Sequence, residues 1–190
     1  MGQMLRSRWQ GCYRDGWQGL IVPAAFQHPA KAAKGLAYRI CRHGIEAGYW
    51  KRGDILLDPF CGIGGFGIAA AAHGLAFVGV ELEQRFVDLC QANFDLHRRD
   101  WETLGVPLPR VIQGDSRQLR AVLGDAVANG AITSPPYAEG IGHRAKPNRM
   151  GREKKLYIQE ATYGATPGQI GAMPEGRPVH GITSPPYARS

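Results

Sequence analysis

The chain has 190 residues, 44% hydrophobic and 21% charged, enough to bury one sizeable core. Its net charge of +7 divides into +7 over residues 1–53, −5 over residues 54–140 and +5 over residues 141–190. This pattern suits a cationic small ligand at the acidic middle and a polyanion across the basic flanks. No apolar signal-peptide core precedes Cys12, no stretch reaches the roughly 20 apolar residues of a membrane span, and Cys12, Cys41, Cys61 and Cys90 form no C-x-x-C pair. A reduced, cytoplasmic protein with no structural zinc and no membrane or metal partner is expected.

Residues 1–27 mix Trp9, Tyr13 and Trp17 with arginines and show no steady period. Residues 31–46 read as a helix through Leu36, Ile40 and Ile45, with Gly48 beyond its end. Ile55, Leu56 and Leu57 read as a short buried strand bounded by Asp54 and Asp58. A glycine-rich turn, residues 61–65, leads into an alanine-rich helix over 66–73 that Gly74 ends. Residues 76–80 form a second strand, and 84–97 a helix with Phe86, Cys90 and Phe94 on one face. Residues 111–113 form a third strand, after which Ser116 can cap a helix running to about Leu123. Residues 131–133 form a fourth strand, closed by a double proline. Strands alternating with helices of this length imply a doubly wound, mostly parallel α/β sheet.

The pattern then stops. Residues 141–181 hold seven glycines and four prolines, with Arg144, Lys146, Arg149, Arg152, Lys154 and Lys155 clustered among them. This stretch is expected to be a long loop whose cations contact nucleic-acid phosphates. Across it lies an internal repeat: residues 132–138, Ile-Thr-Ser-Pro-Pro-Tyr-Ala, recur as residues 182–188. Three segments follow: a basic N-terminal segment over 1–53, a cofactor-binding and catalytic domain over 54–140, and a basic Gly/Pro-rich loop with the second repeat over 141–190.

In open α/β sheets ligands sit at the carboxyl ends of strands, and here those ends carry Asp58, Glu81, Asp115 and Ser134. Residues 62–67 match G-x-G-x-x-G, and Glu81 follows Gly62 by 19 residues, which admits a dinucleotide. Asp58 at the mouth of the turn would repel a pyrophosphate and suits a ligand carrying an ammonium and a sulfonium. Glu81 can accept from ribose hydroxyls in either case.

Asp58-Pro-Phe-Cys-Gly-Ile-Gly-Gly65, followed by Thr133-Ser-Pro-Pro-Tyr137, resembles the S-adenosylmethionine-dependent amino-methyltransferases of DNA, which modify N4 of cytosine or N6 of adenine. The resemblance runs from about residue 26 to 138, and His28-Pro-Ala-Lys31 is similar to the family's additional cofactor-side motif. It implies a Rossmann-like sheet of the class I methyltransferase type, lacking its C-terminal strands here. It also implies DNA as partner, base methylation of the kind used in restriction-modification, and self-association through an open sheet edge.

By the same resemblance, Gly62 and Gly64 let the backbone approach the methionine end of the cofactor, and Asp58 pairs with its ammonium. Glu81 takes the ribose hydroxyls, Asp115 the adenine amino group, and Phe60 and Leu82 pack around the adenosine, with His28 and Lys31 nearby. A base amino nitrogen is a poor nucleophile because its lone pair is shared with the ring. The Ser134 hydroxyl and the Pro135 carbonyl accept its two N–H bonds and favour a pyramidal nitrogen, while Pro136 stiffens the turn. Tyr137 offers a ring for stacking of a flipped base. Ser134 leans towards cytosine N4. RNA amino-methyltransferases with an Asp-Pro-Pro-Tyr motif, an inactive cofactor- or nucleic-acid-binding chain and, more distantly, an NAD-linked dehydrogenase remain open. The first repeat is expected to be the catalytic one, because a single helix connects it to the preceding strand.

Overall fold

Four apolar runs, each too short to stand alone, pair into one parallel sheet. The computed structural model describes residues 9–29, 31–125, 128–134 and 166–167. Strand β1 (Ile55–Asp58) lies between β2 (Ala76–Glu81) and β4 (Gly130–Ala131), and β3 (Arg110–Gln113) pairs outside β2, giving the order β3-β2-β1-β4. All three pairings are parallel. The crossovers carry helices α2 (Gly65–Ala72), α3 (Gln84–Thr103) and α4 (Leu119–Leu123), and α1 (Lys34–Glu46) precedes the sheet. This is the expected doubly wound α/β arrangement.

The chain steps outward from β1 to β2 to β3, then returns to the other side of β1 for β4. The boundary between β1 and β4 is therefore the topological switch point, where a crevice opens beyond the carboxyl ends of the strands. Asp58 ends β1 on one side of it, and Ser134 stands three residues beyond β4 on the other, the fourth strand being shorter than the expected 131–133.

Burial differs from strand to strand. Only β2 is covered along its middle four residues; in β1 Leu56 and Asp58 are buried while Ile55 and Leu57 are half-buried. The four cysteines are free and buried, packing as small apolar residues. Trp17, Ile21 and Ala25 from the N-terminal stretch join Leu56, Phe77, Cys90 and Phe94 in one core. That stretch, which lacks a period, forms turns and a short 3-10 helix, Pro23–Gln27.

Two expectations are corrected. Helix α3 runs on to Thr103, six residues past His97, because Trp101 returns to the core and packs on Phe94 with ring centroids 6.3 Å apart. The cap after β3 is Asp115, whose carboxylate accepts from the Arg117 N–H at 2.9 Å, whereas the Ser116 hydroxyl donates to the Pro59 carbonyl. Among the described residues no helix is long and apolar enough to cross a membrane.

A fully buried amide ties the layers together. Asn93 of α3 accepts from the Val22 N–H at 2.8 Å and donates to the Ile63 carbonyl at 2.8 Å, joining the N-terminal stretch to the turn after β1. Removing it strands two backbone groups at about 1–3 kcal/mol each. Asn93→Ala is expected to lower the urea midpoint by an amount equivalent to ~2–4 kcal/mol, with an unchanged denaturant slope.

Candidate functional site

The site is built on the turn between β1 and α2. Gly62 and Gly64 both have positive φ, +54° and +80°. A side chain at Gly64 would place its Cβ 2.5 Å from the Cys90 sulfur and 2.7 Å from the Phe94 ring, and one at Gly62 would meet the His28 ring at 3.1 Å. This amends the expected reason for the glycines. The open side of Gly64 faces the core, and that of Gly62 faces His28, so the turn's tightness is fixed by packing as much as by any ligand.

Three elements brace the turn from different sides. The Glu81 carboxylate accepts from the Gly62 N–H at 2.9 Å with Oε2 and from the Glu83 N–H at 3.0 Å with Oε1. Asn93 holds the Ile63 carbonyl, and Ser116 holds that of Pro59. Burial raises the Glu81 carboxyl above its ordinary value, with the three backbone N–H groups of Glu83, Gly62 and Leu82 working against it.

Beside the turn lies a cleft lined by Asp58, Phe60 and Gly62, by His28 and Lys31, by Trp17 and Phe66, and by Ser134. The structure thus brings the expected residues from the His-Pro-Ala-Lys stretch, the glycine turn and the Ser-Pro-Pro-Tyr motif to one cavity. Gly64, Glu81, Leu82 and Asp115 are not among its lining residues. Glu81 ends β2, Leu82 follows it, and Asp115 stands two residues beyond β3, along the same carboxyl edge of the sheet.

Asp58 is 2% exposed. Burial pushes its carboxyl up to about 7, against the Phe60 N–H donating to Oδ1 at 3.0 Å and the neighbouring Thr133 hydroxyl, and nearby Glu81 raises it further. Thr133 Oγ1 is buried and, among the described residues, makes no hydrogen bond of ordinary geometry. Lys31, the cleft's cationic side chain, is turned away: its Nζ donates to the Phe26 carbonyl at 2.9 Å and the His28 carbonyl at 2.6 Å, and burial lowers its pKa. His28 is buried and stands edge-on to Phe86, ring centroids 4.3 Å apart. A buried carboxyl facing a cleft with no basic side chain bonded to it fits a ligand that brings its own positive charge.

Asp115 is differently placed. Both of its oxygens accept from the Arg117 guanidinium, at 2.6–3.0 Å, which lowers its pKa. An adenine amino group would share this carboxylate with Arg117. Cys61 lines the cleft, but its sulfur lies 3.7 Å from that of Cys90, and this contact together with burial holds the Cys61 thiol well above its ordinary range, so it is no nucleophile. Pro135, Pro136 and Tyr137, the six basic residues from Arg144 to Lys155, and the second repeat lie outside the described residues.

Trp17 is the wall that sequence reasoning missed. Its indole N–H donates to the Ala32 carbonyl at 2.8 Å, and its ring lies against Gly65, where a Cβ would approach it to 3.0 Å. Thr166 was missed as well: its N–H and hydroxyl donate to the two oxygens of Glu83 at 3.2 and 2.8 Å. No sequence pattern links residues 83 positions apart.

The raised carboxyls fix the sign of a pH effect. Between about 4 and 7 the unfolded chain has an ionised Asp58 while the folded chain keeps its proton, so stability falls as pH rises through that window. Glu81, also raised, acts in the same direction. Asp58→Asn is therefore expected to flatten the loss of stability between pH 5 and 7.5 in chemical denaturation; an unchanged pH slope would contradict the assignment.

The chain is similar to several methyltransferases. Residues 6–92 match a family model described as DNA methylase, of the N6/N4 methyltransferase type. The chain is 33% identical over 98 residues to a probable tRNA (guanine(10)-N2)-dimethyltransferase of Methanothermococcus thermolithotrophicus, covering 52% of this chain and 58% of that one. It is 36% identical over 87 residues to the tRNA (guanine(10)-N2)-dimethyltransferase of Methanothermobacter thermautotrophicus, covering 46% and 23%. The chain thus spans about three fifths of the first relative's length and a quarter of the second's. Among solved structures it is similar to TrmN from Thermus thermophilus, at 19% identity and TM-score 0.44, covering 60% of this chain and 31% of that one. It is also similar to a type I restriction-modification methyltransferase subunit from Streptococcus thermophilus, at 21% identity and TM-score 0.43, covering 54% and 22%. S-adenosylmethionine is the cofactor that the match over residues 6–92 and the methyltransferase relatives indicate.

Proposed function

We propose that the chain transfers a methyl group from S-adenosylmethionine to an exocyclic amino group of a nucleic-acid base, with N4 of cytosine in DNA as the favoured acceptor. The observation that carries this reading is the single cleft shared by Asp58, the Gly62 turn and Ser134. A carboxyl suited to a cofactor's ammonium and a hydroxyl suited to a base's amino group line one cavity at the switch point of the sheet, which supports the reading.

Asp58 would hold the ammonium of the methionine moiety. Glu81, whose carboxylate already serves backbone N–H groups of its own loop, would accept from the ribose hydroxyls with its remaining lone pairs. Asp115 and Leu82 would bound the adenine, and Phe60 the space between. The cofactor supplies an electrophilic methyl on a positively charged sulfur. Ser134 and the Pro135 carbonyl accept the two amino hydrogens of the base, so the nitrogen lone pair turns towards that methyl. When bound, the cofactor would supply its methyl to that nitrogen, its sulfur leaving with the S–C electron pair, and the nitrogen would lose one proton to water. Orientation and fixed dipoles supply the acceleration, with Tyr137 stacking the base in place.

Ser134 and the DNA methylase match over residues 6–92 support DNA. A second reading, transfer to N2 of guanine in tRNA, is favoured by the two relatives at 33% and 36% identity. Incubation with labelled S-adenosylmethionine and either plasmid DNA or bulk tRNA, followed by nucleoside mass spectrometry, separates them. N4-methylcytosine is the expected product; N2-methylguanine would move the substrate to tRNA, and no methylated nucleoside would overturn the reading.

The cofactor assignment has its own test. Glu81→Gln should weaken S-adenosylhomocysteine binding by about 1.5–3 kcal/mol, the worth of hydrogen bonds to a charged acceptor. Equal affinity in the folded variant would remove Glu81 from the site.

A further inference from the structure

Among the described residues, one buried side-chain polar atom lacks a hydrogen bond of ordinary geometry: the hydroxyl oxygen of Thr133. Valine would fill nearly the same volume without a polar atom, so packing alone does not ask for threonine here. A buried hydroxyl without a partner costs free energy, and native structures keep few of them. Its place at the carboxyl edge of the sheet, next to Ser134 of the cleft, points to a role there.

The side chain that it can serve is Asp58. Strands β1 and β4 run parallel with Leu57 opposite Ala131, and the Ile132 N–H still donates to the Leu57 carbonyl at 2.9 Å. Just beyond that pairing the two segments deliver Asp58 and Thr133. The hydroxyl stands close enough to work against the burial that raises the Asp58 carboxyl. Oδ1 of Asp58 already accepts from the Phe60 N–H at 3.0 Å, and a carboxylate has acceptor sites to spare. The Lys31 ammonium cannot take them, because the carbonyls of Phe26 and His28 hold it.

We propose that Thr133 is a positioning residue for the cofactor site, its hydroxyl donating to the Asp58 carboxylate when that group is paired with the ammonium of the ligand. A hydrogen bond to an ionised acceptor is shorter and roughly twice as strong as one to a neutral group. The bond is therefore worth most when the ligand's positive charge keeps Asp58 ionised, and it then fixes the direction in which the carboxylate points. The inference rests on the S-adenosylmethionine reading of the cleft. It gives Thr133 no contact with the cofactor or with the reacting atoms; it acts through Asp58 alone.

The test is calorimetry on the full chain with two ligands. S-adenosylhomocysteine carries the ammonium, whereas 5′-methylthioadenosine keeps the adenosine and sulfur but lacks the amino-acid end. Thr133→Val should weaken S-adenosylhomocysteine by about tenfold and leave 5′-methylthioadenosine unchanged. Thr133→Ser, which keeps the hydroxyl, should restore the original affinity. Added to Asp58→Asn, Thr133→Val should cost less than about a further twofold, because both residues act on one ammonium. Equal S-adenosylhomocysteine affinity in Thr133→Val and the original chain overturns the role. So does a Thr133→Ser variant as weak as Thr133→Val, or an undiminished tenfold loss in the Asp58→Asn background. Weakening of both ligands by the same factor overturns it as well, showing a general support for the pocket. Each of these results leaves the cofactor reading standing. If the original chain binds neither ligand, that reading itself falls, and the role of Thr133 with it.

Discussion

The hydrogen bond from the Asn93 amide to the Ile63 carbonyl is the contact on which the site's geometry hangs. It fixes the middle of a turn whose glycines have no side chains with which to hold themselves. The same amide accepts from Val22, so the N-terminal stretch, α3 and the turn are held by one buried group. Glu81 and Ser116 brace the turn from the neighbouring strand and loop. Gly64 then lies flush against Cys90 and Phe94, with no room for a methyl group. The cleft is therefore shaped by the core beneath it, which is how a short loop can present a rigid surface to a small ligand.

Charge completes this arrangement. The fold keeps a carboxyl, Asp58, almost out of water and gives it a backbone N–H but no bonded cation among the described residues. Burying an unpaired carboxylate is costly, and its proton is held up to about pH 7 as a result. A ligand with a positive centre would relieve that cost, so the cleft's electrostatics favour one. Lys31 would cancel the effect if it reached Asp58, but two carbonyls hold its ammonium elsewhere.

Much of this was legible in the sequence where the cause is local. The β1–turn–α2 unit could be read because an apolar run, glycines and an alanine series lie side by side along the chain. The location at the carboxyl ends of the strands followed from the alternation of strands and helices, and His28, Lys31, Asp58, Phe60, Gly62 and Ser134 do line one cleft. What could not be read depends on contacts between distant residues. Trp17, Ile21 and Ala25 have no helical or strand period because they are held by α3 and by the Ala32 carbonyl. Asn93 looks like a solvent residue until it is placed between Cys90 and Phe94 on the buried face of α3, a position that was itself a usable signal. The end of α3 was obscured by the polar run at residues 97–100, past which Trp101 returns to the core. Thr166 gave no signal at all.

The account's central claim is that the cleft binds a positively charged adenosine cofactor through Asp58. Calorimetric titration of the chain and of Asp58→Asn with S-adenosylhomocysteine, and with NAD as a control, tests it most directly. The account predicts one S-adenosylhomocysteine per chain, no NAD binding, and an affinity at least about tenfold weaker in Asp58→Asn, the loss of a buried charge-assisted pair. Equal affinity in the two proteins, or tighter binding of NAD, would contradict it.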